Sequence, residues 1–269
     1  MSEAASGIPY SRARILAVAN QKGGVGKTTT AINIGAGLAA VGKRVLILDL
    51  DPQGNASTGV GVDRSRRRVS SYDLLMGSAT LTEAAQPTAI PGLSLVPSNV
   101  DLSGAEVELI SAERRSFRLR DALYADSAFD FVFIDCPPAL NLLTINSLVA
   151  ADSVLVPLQC EFFALEGLSL LLKTIERVRR TYNPALEIQG VVLTMFDRRN
   201  NLSDQVAADV RSHLGAKVYE TVIPRNVRIS EAPSHGQPAL VYDHRCSGSL
   251  AYMRLARELL KREEALQAA

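Results

Sequence analysis

Short unbroken apolar runs alternate along this chain with longer stretches whose apolar residues recur every three or four positions. The runs are Ile15–Ala19, Arg44–Leu50, Leu93–Pro97, Phe131–Ile134, Ser153–Leu158, Ile188–Met195 and Lys217–Ile223. Short apolar runs without polar alternation mark strands buried on both faces, as in a parallel sheet covered by helices on each side. Pro157 falls at the end of its run, where a missing ladder donor is tolerated. Between the runs, Ala31–Val41, Ser70–Met76, Glu113–Tyr124, Asn141–Ala150, Ala164–Tyr182, Ser203–Leu214 and Ser249–Leu266 read as helices. In Ala164–Tyr182 the residues Leu165, Leu168, Leu172, Ile175 and Val178 form an apolar stripe, and Arg177, Arg179 and Arg180 gather at the negative end of the helix dipole. Glu113–Tyr124 is amphipathic and exposes Arg114, Arg115 and Arg118. Strand followed by helix, repeated, predicts an α/β fold: a mostly parallel twisted sheet flanked by helices.

A chain of 269 residues with 47% hydrophobic content can build a substantial core as one domain. That domain is expected over residues 14–269, with 1–13 a polar, small-residue, disordered arm that lacks the apolar centre of a signal peptide. Lys+Arg 29 against Asp+Glu 28 leaves a net charge of +1, so affinity for DNA must come from a local patch. The basic run Arg64, Arg66, Arg67 and Arg68 reads as a solvated loop. Cys136, Cys160 and Cys246 have no paired spacing, which excludes a disulfide framework or a zinc site and suits a reducing cytoplasm. His213, His235 and His244 are expected on the surface, and Phe162 and Phe163 in the core. No run approaches transmembrane length.

The candidate chemistry lies at three strand ends. Gln21-Lys22-Gly23-Gly24-Val25-Gly26-Lys27-Thr28-Thr29-Thr30 follows the first strand and opens the first helix. Gly23, Gly24 and Gly26 let backbone N–H groups converge there, and the helix N-terminus adds partial positive charge, so the turn suits a polyphosphate. Gly26-Lys27-Thr28 closes the pattern G-x-x-x-x-G-K-[ST], with Lys27 reaching the phosphates and the Thr28 hydroxyl on Mg²⁺. Asp49-Leu50-Asp51-Pro52-Gln53-Gly54-Asn55 ends the second strand; Asp51 is assigned to the attacking water and Asp49 to the magnesium shell. Asp135, after four apolar residues, is placed to accept hydrogen bonds from magnesium-bound water. Strand carboxyl ends are where open α/β sheets bind ligands. Residue type alone leaves Lys22 a solvated lysine at the loop entrance.

The loop K-G-G-x-G-K-T-T resembles the deviant Walker A loop of the ParA/MinD group of P-loop ATPases. Asp49–Asn55, Ile134–Pro138, Gln159–Leu168, Leu193–Asp197 and Val222–Ser234 extend the likeness to about Ile15–Leu260 and make it similar to the ParA/Soj family of partitioning ATPases. The resemblance implies ATP and Mg²⁺ as cofactors, with Gly23, Gly24, Gly26, Lys27, Thr28 and Thr29 on the phosphates. Pro224 and Asn226 would contact adenine, Asp51 would align the hydrolytic water, and Lys22 would act across an ATP-sandwich homodimer. It also implies non-specific DNA binding, release on hydrolysis stimulated by a ParB-type centromere-binding protein, and a nucleoid-associated cytoplasmic location. Arg198, Arg199, Arg225, Arg228 and Arg254 are the expected DNA contacts. Operator-specific repression is not expected, because only a short arm precedes Ile15. Three rivals share the loop. A MinD-like membrane-cycling division ATPase needs a basic, bulky apolar anchor, which Glu258, Glu263, Glu264 and the Ala-rich end do not make, so no stable membrane association is expected. A redox iron protein needs cluster-spaced cysteines, and a metabolic ligase such as an amide synthase needs a small-molecule pocket.

Overall fold

The computed structural model describes residues 12–124 and 128–267. Its elements run β1 (Arg14–Val18), α1 (Lys27–Ala40), β2 (Val45–Asp49), α2 (Asn55–Gly59), α3 (Ser71–Met76), α4 (Leu81–Ala84), β3 (Gln86–Pro87), β4 (Leu93–Val96), α5 (Leu102–Glu108), α6 (Arg118–Leu123) and β5 (Phe131–Asp135). There follow α7 (Leu142–Ala150), β6 (Ser153–Gln159), α8 (Ala164–Thr181), β7 (Glu187–Thr194), α9 (Asn201–Leu214), α10 (Val227–Glu231), α11 (Ala239–Tyr242) and α12 (Ser247–Gln267). The strands form one sheet ordered β3-β4-β2-β5-β1-β6-β7, parallel except where the short β3 meets β4. β1 thus lies between β5 and β6, and the turn that leaves it sits mid-sheet.

The apolar runs are unbroken because each strand feeds two cores. Ile15, Ala17, Leu46, Leu48, Val132 and Ile134 point to one face, covered by α3, α6, α7 and α8. Leu16, Val18, Val45, Ile47, Phe131 and Phe133 point to the other, covered by α1 and α12. Ala256 of α12 sits against Gly37 of α1, where a Cβ would come within 3.0 Å, so a small residue allows this close crossing.

Several expectations need correcting. Lys217–Ile223 is not a strand: Val218 and Pro224 make isolated bridges to Val191 and Phe196, and between them the Glu258 carboxylate accepts from the Glu220 and Thr221 N–H groups at 2.9 and 3.0 Å. A side chain from α12 thus takes the donors a ladder would need. Glu113–Tyr124 becomes helical only at Arg118, because Arg114 adopts a left-handed φ of 54° that a helix cannot include. Phe162 and Phe163 are not core: they are 76% and 62% exposed and stack edge to face on each other. Arg64, Arg66 and Arg68 are exposed, but Arg67 is buried. Most of the expected arm lies outside the described residues; Arg12 ion-pairs with Asp152, and Ala13 is buried.

Candidate functional site

Every residue assigned to phosphate chemistry sits at the carboxyl edge of the sheet. Gly26, with a left-handed φ of 89°, is the N-cap of α1 and turns the loop into the helix. At Gly23 and Gly24 an added Cβ would meet nothing within 4 Å, so the outer face of the loop is open. Three side chains hold the loop from behind. Buried Asn20 accepts from Lys22 N–H at 3.0 Å and donates to Pro157 O at 2.8 Å; Thr194 Oγ1 donates to Val25 O at 2.8 Å; Thr30 and Tyr252 share a hydroxyl hydrogen bond at 3.3 Å.

Lys27 is buried and donates to Lys22 O at 2.9 Å. Burial lowers its pKa, and the negative charges of Asp135 and Asp51 oppose that shift. Asp49 and Asp135 are register partners on adjacent strands β2 and β5, and both are fully buried. Asp49 is nonetheless well bonded: its Oδ2 accepts from Ser57 N–H at 2.8 Å and Ser57 Oγ at 2.7 Å, and its Oδ1 accepts from Asp51 N–H at 3.3 Å. Three of the hydrogen bonds that the Asp49 carboxylate can accept thus brace the Asp51 turn. Burial still lifts its pKa to about 6, against the Ser57 bonds.

Asp135 is the opposite case. Neither of its buried oxygens has a hydrogen-bond partner of acceptable geometry. Burial, and then the charge of Asp49, push its pKa well up, while the nearby Thr28 hydroxyl and Lys27 pull it down. An orphaned buried carboxylate beside a threonine hydroxyl at a helix N-terminus fits a hydrated divalent cation, which would return it to its charged form. Asp51 is buried, with Gln53 N–H donating to its Oδ1 at 3.0 Å.

Lys22 is half-exposed and ion-pairs with Glu161 of its own chain, at the head of the loop that carries Phe162 and Phe163. Pro224 and Asn226 line a cavity of about 420 Å³ with Gly26, Thr29, Thr194, Met195 and Tyr252, beside the phosphate loop. The Asn226 side chain also caps α10, accepting from Arg228 N–H at 2.9 Å, and donates to Ser247 Oγ at 2.9 Å. Met195 there has a left-handed φ of 50°, a strained backbone at the end of β7. A larger cavity, about 890 Å³, lies between α3, α4 and α6 and touches none of these residues.

Arg198, Arg199, Arg225 and Arg254 line one cavity of about 720 Å³. Arg199 pairs with Asp197 at 2.7 Å, and its hydrogen bonds hold that carboxyl down to about 2. Arg228 faces Glu231 and Asp243 at 3.0 and 3.6 Å and stands apart from the cluster. Among the described residues no group of His, Cys, Asp and Glu is arranged as a protein-only metal site. No role was expected for Asn20, Ser57, Glu161, Thr194 or Tyr252; Asn20 adjoins the glycine loop and Glu161 and Thr194 lie in stretches that carry the family resemblance, while Ser57 and Tyr252 had no local signal.

A family profile described as "AAA domain" matches residues 13–188. The chain is 64% identical over 258 residues to the chromosome partitioning protein ParA of Caulobacter vibrioides, covering 95% of this chain and 97% of that protein. It is 50% identical over 251 residues to the chromosome-partitioning ATPase Soj of Thermus thermophilus, covering 93% and 97%. Among solved structures, cobyrinic acid a,c-diamide synthase from Mycobacterium smegmatis, with bound ATP analog and magnesium, is similar with a TM-score of 0.82 and 40% identity, over 94% of this chain and 96% of that one.

Proposed function

Because this chain belongs to the ParA/Soj family of chromosome-partitioning ATPases, we propose that it moves DNA through an ATP cycle run by one domain spanning residues 14–269. Two copies clasp two ATP molecules face to face, the dimer binds nucleoid DNA non-specifically in the cytoplasm, and hydrolysis stimulated by a ParB-type centromere-binding protein releases it. The observation that carries this reading is Asp135, a buried acid without a hydrogen-bond partner of acceptable geometry, at the point where Lys27, Thr28 and the glycine loop converge.

ATP and Mg²⁺ are the cofactors this site fits. Lys27, Thr28 and Thr29, with the N–H groups of Gly23, Gly24 and Gly26, hold the phosphates, and Thr28 and Asp135 hold the magnesium. The bound cation supplies charge neutralisation for phosphoryl transfer. Asp51, braced through its Oδ1 and backbone N–H, presents its Oδ2 to a water and orients it. Pro224 and Asn226 border the base. On dimerisation Lys22 leaves Glu161 for the phosphates of the other copy, and the open face at Gly23 and Gly24 leaves room for that approach. Arg198, Arg225 and Arg254 offer DNA a basic patch, while Arg199 and Arg228 must first exchange their acids.

The membrane-cycling alternative is disfavoured by α12, whose Ala251, Tyr252, Leu255, Ala256 and Leu259 are buried in the core shared with α1. Among the described residues no helix is long and apolar enough to cross a membrane. The amide-synthase alternative shares the fold of the Mycobacterium smegmatis protein, at lower identity than the ParA relative.

The test is ATP turnover with sheared DNA plus a ParB-type protein, with lipid vesicles as the control. DNA and the ParB-type protein together should raise the rate and vesicles should not. Lys22→Ala should remove the stimulated rate, by about 10³-fold or more if it serves as an arginine finger does. Stimulation by vesicles, or full turnover in Lys22→Ala, would overturn the reading.

A further inference from the structure

Arg67 stands out from its basic run because it is 7% exposed and makes five hydrogen bonds. Its Nε and Nη2 donate to Val62 O at 3.1 and 2.8 Å, its Nη1 donates to Gly54 O and Ser98 O, each at 3.3 Å, and its Nη2 donates to Thr58 Oγ1 at 2.8 Å. None of these partners is an acid. A guanidinium buried against neutral oxygens is disfavoured by desolvation, which lowers its pKa; the charge of Asp49 is the largest influence opposing that shift. Such a group needs a reason to be there.

Gly54 supplies one. Its φ is 65°, and a Cβ added there would lie 2.3 Å from Arg67 Nη1 and 3.2 Å from Ser98 O. Gly54 and Arg67 are therefore matched, because the missing side chain is what lets the guanidinium reach the backbone. Gly54 also closes the Asp51 turn: its N–H donates to Asp51 O at 2.9 Å, and its carbonyl accepts from Thr58 N–H at 3.0 Å and Thr58 Oγ1 at 3.1 Å. Arg67 thus ties the exit of that turn to Val62 on one side and to the end of β4, at Ser98, on the other.

We propose that Arg67 is a positioning residue for ATP hydrolysis, clamping the Gly54 carbonyl and Thr58 so that the Asp51 carboxylate is held in its water-aligning orientation. The inference rests on the assignment of Asp51 to the hydrolytic water. It predicts a defect in turnover and not in nucleotide binding, since Arg67 reaches none of the phosphate-loop residues.

Arg67→Ala and Arg67→Lys, with Arg64→Ala as an exposed control, are compared in three assays. These are steady-state Mg-ATP hydrolysis, equilibrium binding of a fluorescent ATP analogue, and amide hydrogen exchange of the nucleotide-free protein. Arg67→Ala should lower kcat about 10- to 100-fold, the usual penalty of a misplaced reacting group, with affinity unchanged within about twofold. Exchange should accelerate at the Gly54 and Thr58 amides while the β5 amides stay protected. Added guanidinium should restore part of the rate to Arg67→Ala and none to Asp51→Ala. If Arg67→Ala does not fold, Arg67→Lys carries the test, with a smaller kcat loss at unchanged affinity. Unchanged kcat, or kcat and affinity falling together with exchange accelerated across the sheet, would overturn the proposal. Full turnover in Asp51→Ala would instead overturn the assignment of Asp51 and is read separately.

Discussion

At the amino edge of the sheet, Arg14 on β1 meets Glu263 of α12 at 2.8 Å, Asp152 accepts from Ile15 N–H at 2.8 Å and pairs with Arg12, and Arg44 pairs with Asp130 at 2.8 Å. At the carboxyl edge, Asp49 and Asp135 lie side by side across β2 and β5, and Asp135 has no hydrogen-bond partner of acceptable geometry. Both edges bury acids, and only one supplies each with a cation or a donor. Burial pushes Glu263 up as it does Asp135, but Arg14 pulls Glu263 back, whereas Asp135 is pushed further by Asp49. The amino edge therefore belongs to stability, and the carboxyl edge holds a charge deficit that a phosphate-bound magnesium ion removes.

The contrast can be broken from either end. The largest effect on stability should come from Arg14→Ala, which strands Glu263, itself only 3% exposed in its side chain. Removing one partner of a buried pair costs about 3–5 kcal/mol, and the residual exposure of Arg14 reduces that to about 2–4 kcal/mol. Denaturant titration should show this loss, with ATP affinity unchanged; a matching loss of affinity would mean that the two edges are not independent. A smaller effect is expected from pH. The Asp49 pKa is raised from 3.8 to about 6, so the folded state holds that proton more tightly than the unfolded chain. Its contribution to stability is present below about pH 4 and is lost as pH rises through about 6, at most about 1.4 kcal/mol per pH unit. Asp49→Asn should lack this decline when unfolding of the nucleotide-free protein is followed over that window. A parallel decline in the variant would place the effect elsewhere.

How much of this was legible in the sequence follows from what each feature depends on. The glycine loop, Asp51 and Asp135 depend on their own strand end and the turn after it, and the structure places them together as expected. The buried strands were equally plain, because a two-sided core leaves unbroken apolar runs. What escaped depends on distant partners. Lys217–Ile223 carries the composition of a strand, yet between the Tyr219 and Ile223 amides, which reach β7, those of Glu220 and Thr221 are taken by Glu258, 38 residues from Glu220. Phe162 and Phe163 read as core because nothing local shows that their loop turns outward beside Lys22. Arg67 looked like its neighbours in a solvated run until Gly54 and Ser98, 13 and 31 residues away, were seen to meet it. The pairing of Asp49 with Asp135 is a matter of strand register, and the bracing of Asp49 depends on Ser57, which directs both its N–H and its hydroxyl at the carboxylate.

The charge deficit at the carboxyl edge is tested most directly by thermal unfolding of the wild type and Asp135→Asn, each with and without Mg²⁺ and a slowly hydrolysed ATP analogue. Without ligand, Asp135→Asn should unfold at a higher temperature than the wild type, because folding no longer has to neutralise a buried acid by proton uptake once an amide of the same shape replaces it. With ligand, the wild type should gain a magnesium-dependent rise in Tm that the variant lacks. A variant that is less stable without ligand, and that gains as much from magnesium and nucleotide as the wild type does, would contradict the account.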